Sequence, residues 1–470
     1  MAQYLNRGER AVRPGTYYHI GKKGENIPAG ASDGVVAVLF KSNWGPLNEI
    51  VEVSAEQGYK DRFGNEGTTD AIALAIEGGA KKLVLVRVGD DDGTAAAVTL
   101  KDDQSSDAID ITAKYVGSRS FAISVRDSIA DSSSRECIIY SGTTEFEKLT
   151  FAKGGDEVAA LVAAFSGSKN FTAAKKTGAT GILATATQKA FTAGSDPTTS
   201  TTEYSAGMDI AGTVRQNCIC LDTGDYAIIS LLAAYVKRSL QEGNNVIACV
   251  GEPNTVALAT REQHAAACND AGIVYVLNGK LGHSVYGEID GYQTAAKVCG
   301  MIAGTSCKYS LTHTVMSNIT DLKERLTNAQ IIEAEKSGCL VFTTNASRQI
   351  WIDYAITTLV TLTGDQDEGW KKIRRTKTRY EVLQRANDVT DSMIGKVDND
   401  TPGRIAIMDA IGNVGNAMIG EGKLTSLAVV EDPSYSPEGD SAFFLIDIVD
   451  KDSAEHIYLG YTFRFETTEE

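Results

Sequence analysis

Cys218-Ile-Cys-Leu221, Val246-Ile-Ala-Cys-Val250 and Ile273-Val-Tyr-Val-Leu277 are three short, wholly apolar runs, separated by segments of helical pattern over about 225–242 and 256–270. A strand that is apolar at every residue has both faces buried, and strands joined through helices run parallel. This stretch therefore decides the fold class, α/β with a parallel sheet covered on both sides. Upstream, Gly34-Val-Val-Ala-Val-Leu-Phe40 and Lys82-Leu-Val-Leu-Val-Arg-Val88 read as further buried strands, with a helix over about 68–78 between them. Downstream come a helix near 290–303 and another near 328–337, stopped by Gly338, which feeds a strand over 339–343.

Two regions break this alternation. Over 94–205 short alternating runs such as Phe121-Ala-Ile-Ser-Val125 are separated by Gly, Asp and Ser clusters, the texture of a β-rich, sandwich-like module. It closes on the Ser/Thr-rich linker 194–202, after which the α/β pattern resumes, so it reads as an insertion. Beyond 345, helices are expected over about 354–362 and 371–393, then a hairpin pairing 443–449 with 457–465 across the turn 450–453. Ile457, Leu459, Tyr461, Phe463 and Phe465 alternate strictly with more polar residues, a period-2 strand with an apolar face. Such a strand is an aggregation hazard if its edge stays unpaired, so pairing with a neighbouring copy of the chain is expected. Near the other end, Arg13-Pro-Gly-Thr-Tyr-Tyr-His-Ile20 is a turn followed by a short strand signal, an arm carrying Tyr17, Tyr18 and Ile20. The resulting division is an N-terminal arm (1–20), a discontinuous α/β core (21–93 and 206–345), the inserted domain (94–205), a C-terminal α+β domain (346–453) and a C-terminal strand arm (454–470).

At 470 residues the chain exceeds one hydrophobic core. No apolar run approaches a membrane span, and the start lacks a signal-peptide pattern, so membrane insertion and secretion by that route are not expected. The net charge of −16 disfavours direct nucleic-acid binding. The eight cysteines lie mostly in apolar segments and read as reduced core thiols of a cytosolic protein. Cys218 and Cys220 have no second pair at zinc spacing, and the five histidines are scattered, so no metal or cofactor is expected. Asp222-Thr-Gly-Asp225 reads as a loop with a helix-capping aspartate, Gly420-Glu-Gly-Lys423 lacks phosphate-loop spacing, and no Gly-x-Ser-x-Gly elbow occurs. No catalytic residues are assigned. The one local anomaly is basic: Lys371, Lys372, Arg374, Arg375, Lys377 and Arg379 fall within nine residues without an acid. Either they pair with Asp365, Asp367 and Glu368 upstream, or they form a patch that docks on an acidic partner.

An ordered set of segments resembles the contractile tail sheath proteins of phages and phage-derived particles. These are Arg13-Pro-Gly-Thr-Tyr17, Ser42-Asn-Trp-Gly-Pro46, Gly78-Gly-Ala-Lys-Lys-Leu-Val-Leu-Val-Arg-Val88, Leu326-Thr-Asn328, Ala355-Ile-Thr-Thr-Leu-Val360 and Gly395-Lys-Val-Asp-Asn399. Relatives often carry Asn before the Thr-Leu pair, where this chain has Thr357. The resemblance implies a non-enzymatic virion tail sheath subunit, assembled in the host cytoplasm into a helical homo-oligomer or stacked rings around a tail tube protein. Baseplate and tail terminator proteins would be further partners. It implies a subtilisin-like, non-catalytic core, an outward-facing insertion, a tube-facing C-terminal region bearing the basic patch, and arms that exchange strands. A ten-residue arm reaches roughly 33 Å, and each ladder hydrogen bond contributes about 0.5–1.5 kcal/mol net. The alternatives are the sheath of a headless, bacteriocin-like injection system and, in another class, a cytosolic α/β enzyme with a β accessory domain.

Overall fold

A computed structural model describes residues 3–4, 17–18, 34–54, 56–60, 62–64, 70–364 and 366–464. The apolar runs form one seven-stranded sheet, in the order Cys339–Leu340, Ile273–Val276, Ile247–Gly251, Cys218–Leu221, Val35–Phe40, Lys82–Arg87, Ile50–Val53. All neighbours are parallel except the edge strand Ile50–Val53, which runs antiparallel to Lys82–Arg87. Within Val35–Phe40 the period of two is literal. Val36, Val38 and Phe40 enter one core with the helices Asp70–Gly78 and Gly291–Gly304. Val35, Ala37 and Leu39 enter the other with Thr201–Ala211, Tyr226–Gln241 and Leu258–Cys268. The first two helices meet without room for a side chain: a Cβ on Gly300 would lie 1.9 Å from the Ala75 carbonyl oxygen.

The chain from 95 to 190 builds two antiparallel sheets, four-stranded and three-stranded, with the helix Glu157–Phe165 and a shared apolar cluster. One member of that cluster comes from outside it. Trp44, 1% exposed, stands in the turn after the first core strand and meets Tyr115, Phe121 and Phe146 edge-on. Arg87, fully buried at the end of its strand, donates to the carbonyls of Ser42 and Gly45 and to that of Val116. Burial lowers its pKa to about 10, so it remains the charged donor at neutral pH. At Gly117, where φ is +144°, a Cβ would lie 2.0 Å from the Asn43 oxygen. This junction is stitched by backbone contact rather than by a flexible tether.

The C-terminal part packs helix Ile373–Asp391 and helix Thr401–Gly420 against a hairpin of Leu424–Glu431 with Phe444–Asp450. Three expectations fail here. The 354–362 segment is extended, bridging Ile356 to Lys372, because Ile356, Thr357 and Thr358 are β-branched and fully buried, with Thr357 N donating to the Lys371 carbonyl at 2.7 Å. The hairpin partner of Phe444–Asp450 is Leu424–Glu431, not 457–465; from 451 to 464 the chain forms no strand. A helix at Thr401–Gly420 was not expected, although Asp400 caps it and Pro402 lies in its first turn.

Candidate assembly site

Ligand sites in parallel sheets lie at the carboxyl ends of the strands, and here that edge is occupied by the protein's own groups. Asp222, buried at the end of Cys218–Leu221, accepts from Lys41 N at 2.7 Å and from the Tyr204 hydroxyl. Burial pushes its carboxyl above the usual range. Glu252, one strand over, accepts from the Tyr275 hydroxyl and meets His264 Nδ1 at 2.8 Å, with the imidazole stacked on Tyr226. These acids tie Tyr204, Tyr275 and His264 to the sheet. Asp225 caps Tyr226–Gln241 by accepting from Ala227 N. The eight cysteines are buried free thiols, and among the described residues no group of three or more His, Cys, Asp or Glu side chains is placed to hold a metal.

The basic run is built differently from an open patch. Arg374 is buried and the other five side chains are half-buried, each engaged by a partner within the chain, Lys371 by a surface ion pair. Lys371 pairs with Glu368 at 2.8 Å, and Arg375 with Asp367 at 2.6 Å; Asp365 lies outside the described residues. Arg375 also makes a two-pronged contact with Asp450, at 2.7 and 3.0 Å, and Lys372 meets Asp452 at 2.8 Å and Glu455 at 3.0 Å. Arg374 is buried and donates to the Cys307 carbonyl. Lys377 donates to the carbonyls of Ile302 and Thr305, at the C-terminal end of Gly291–Gly304, where the helix dipole favours a cation. Arg379 stacks over Trp370, 4.1 Å from the ring centroid, and burial lowers its pKa to about 10. Sequence reasoning thus found the cluster and two of its acids. It missed Asp450, Asp452 and Glu455, whose partners lie about eighty residues away and leave no local signal.

Glu455 is the most enclosed of these acids. Its Oε1 accepts from Ser310 Oγ at 2.5 Å and from Thr312 Oγ1 and Ser453 Oγ at 3.0 Å each. Burial alone would raise its pKa, but the Ser310 hydrogen bond and the Lys372 ammonium bring it below the usual value. Beyond it, Ile457, Leu459, Tyr461 and Phe463 are exposed; Phe465 lies outside the described residues. The N-terminal arm residues Tyr17 and Tyr18 pair in parallel with Gln3 and Tyr4, while Ile20 lies outside the described residues.

Between helix Asn328–Lys336, Tyr354, the 367–375 segment and the arm root lies an open cleft of about 620 Å³. On its wall the Glu335 carboxyl meets that of Asp353, and Glu335 Oε1 is buried without a hydrogen-bond partner. Burial and the Asp353 charge push Glu335 up to about 7.

Two family models match the chain: "Phage tail sheath protein central domain" over 198–358 and "Tail sheath protein Gp18 domain III N-terminal region" over 34–88. Together these segments contain all seven strands of the main sheet. The phage-like element PBSX protein XkdK of Bacillus subtilis (strain 168) is 23% identical over 482 residues, spanning 96% of this chain and 97% of that protein. The crystal structure of a sheath tail protein from Desulfitobacterium hafniense superposes with a TM-score of 0.71 at 21% identity, covering 92% of this chain and all of the other. The helical sheath of the anti-feeding prophage in its contracted state gives a TM-score of 0.54 at 13% identity, covering 97% and 99%. The fold is therefore a mixed α/β fold shared with sheath proteins.

Proposed function

On the premise that this chain carries phage tail sheath domains in a sheath fold, we propose that it is the structural subunit of a contractile tail sheath. It polymerises helically around a tail tube and shortens to drive the tube through a bacterial envelope, with a baseplate and a terminator at its two ends. The observation that carries this reading is the match of both sheath domain models to the whole main sheet. It is supported by an exposed apolar arm at the C-terminal end, which has no partner strand within the described chain. Heterologous contacts between one subunit's arm and the next subunit's body do not close on a pair, so they propagate into rings or helices. The core is subtilisin-like and non-catalytic in this proposal, and the engagement of Asp222 and Glu252 by Tyr204 and Tyr275 at the sheet's carboxyl edge supports a structural role for these acids. The C-terminal region faces the tube in this proposal. Lys371, the most accessible of the Lys371, Lys372 and Arg375 group, is then the cation best placed to touch it.

The likeness to the helical sheath of the anti-feeding prophage and to the sheath of an extracellular contractile injection system supports a second reading within the class, the sheath of such an injection system. Electron microscopy of the purified full chain at rising concentration tests the common core of both. Regular hollow tubes or stacked rings are expected. A protein that stays monomeric with and without added tail tubes would overturn the proposal.

A further inference from the structure

The C-terminal segment changes character within two residues. Asp450, Asp452 and Glu455 are held by the basic helix and by Ser310 and Thr312. From Ile457 to Phe463 the large apolar side chains are 69–93% exposed. We propose that Lys372 and Arg375 form a latch that clamps the root of the C-terminal arm to the body, so that the free arm starts at His456 rather than at the hairpin end, Asp450.

Three features of the contact set carry this. Glu455 has a side chain only 5% exposed, and enclosing a carboxylate is unfavourable unless several donors and a cation meet it. Here three hydroxyls and Lys372 do. Arg375 grips Asp450 with two parallel bonds, a geometry that fixes direction as well as distance. The donors also come from separate places in the chain, the 310–312 loop and the basic helix, so they fix the root to two elements at once. Backbone contact completes the seat, Lys451 N donating to the Lys423 carbonyl at 3.2 Å.

The consequence is a tether with two lengths. With the latch closed, the chain from Asp450 to Glu455 is fixed to the body. With it open, the five residues between the hairpin end and His456 are released, adding roughly 17 Å of reach. In a sheath whose subunits stay linked while their packing changes, that slack allows an arm to keep its partner. This use rests on the sheath reading; the latch itself is a property of one chain and is tested on one chain.

The test is limited trypsin digestion of the unassembled full chain, followed by mass spectrometry at two bonds. Arg464 stands in the exposed arm and Lys451 in the latched root, so cleavage after Arg464 should be at least tenfold faster. Glu455→Gln, which keeps the shape and removes the charge, should raise cleavage after Lys451 at least tenfold and leave Arg464 unchanged. The pair Ser310→Ala with Thr312→Val should do the same without touching a charge, and 0.5 M NaCl should do so in part. Unaltered near-ultraviolet circular dichroism excludes general unfolding as the cause. Equal Lys451 cleavage in wild type and both variants overturns the latch. Sheath formation by the same proteins is scored separately by electron microscopy. A monomer with a protected Lys451 refutes the sheath reading and leaves the latch standing.

Discussion

Glu335 and Asp353 bring two carboxyls together on the wall of a half-open cleft, and two such groups do not both ionise cheaply. Burial, then the Asp353 charge, raise Glu335 to about 7 from its ordinary value of 4.5. The folded state therefore holds a proton that the unfolded chain releases near pH 4.5. The sign follows: the stabilisation is complete below about pH 4.5 and is lost as pH rises through about 7. Because the site is only half-buried, the solvent-discounted size is on the order of 1 kcal/mol. Lys371, Lys372, Lys336 and Arg375 face the cleft from the cationic side, while Asp367, Glu368, Asp452 and the ring of His456 also line it. Glu335→Gln is expected to flatten the fall in melting temperature between pH 6 and pH 8 and to make the protein more stable at pH 8. A wild-type melting temperature that rises over that interval, or a variant with the same slope, would show that the pair carries no shared proton.

At the scale of elements, the basic helix illustrates what a sequence hides. Six cations in nine residues were plain to read, and so were Asp367 and Glu368 as local partners. That the helix is also a fastening point for residues 450–455 was not readable, because a pairing across about eighty residues leaves no periodicity. The same limit explains the 354–362 segment. An apolar stretch of nine residues fits a helix or a buried strand equally well by pattern, and only the β-branched run Ile356-Thr357-Thr358, pinned to Lys371 and Asp270, decides for the extended form. Six of the seven main-sheet strands were legible because they are nearly unbroken apolar runs, whereas the antiparallel edge strand Ile50–Val53, four residues with the charged Glu52 among them, left no such signal. Reversal of Lys371, Lys372, Arg374 and Arg375 together is thus expected to disturb the fold before it says anything about a tube. Lys371→Glu alone is the cleaner probe: its melting temperature should move by less than about 2 °C, consistent with one surface ion pair. Tube binding in a cosedimentation assay should weaken if this edge faces the tube; unchanged cosedimentation would remove that contact from the proposal. The inserted module gives a second prediction at this scale. Trp44 is a core residue of a domain it does not belong to in sequence, so Trp44→Ala should cost about 3–5 kcal/mol. Calorimetry should then show the module melting apart from the main sheet. A single, unshifted transition would mean that the Arg87 and Gly117 backbone contacts hold the junction without it.

The whole molecule combines a strongly acidic body with an apolar arm. At a net charge of −16, every copy repels the next over about 8–10 Å at ordinary ionic strength. The arm is the opposite kind of group: Ile457, Leu459, Tyr461 and Phe463 lie on water and bring no formal charge with them. If arms join the copies, association is opposed by charge and driven by apolar burial and strand pairing, and salt separates the two terms. Raising NaCl from 50 to 500 mM should lower the concentration at which tubes or rings appear, since screening removes the repulsion and leaves apolar burial intact. Two side effects are predictable from the latch. Salt also loosens the Lys372 and Arg375 contacts, so the gain in assembly should level off as the arm root loses its direction. Removal of 457–470 should leave a monomer whose melting temperature is unchanged within about 2 °C, because the deleted described residues are exposed and the latch at 450–455 is retained. Light scattering against salt for the full and truncated chains decides the matter. A full chain whose assembly weakens with salt would mean that ion pairs between copies, rather than apolar arms, hold them together. A truncated chain that still polymerises would place the joining contacts elsewhere on the body.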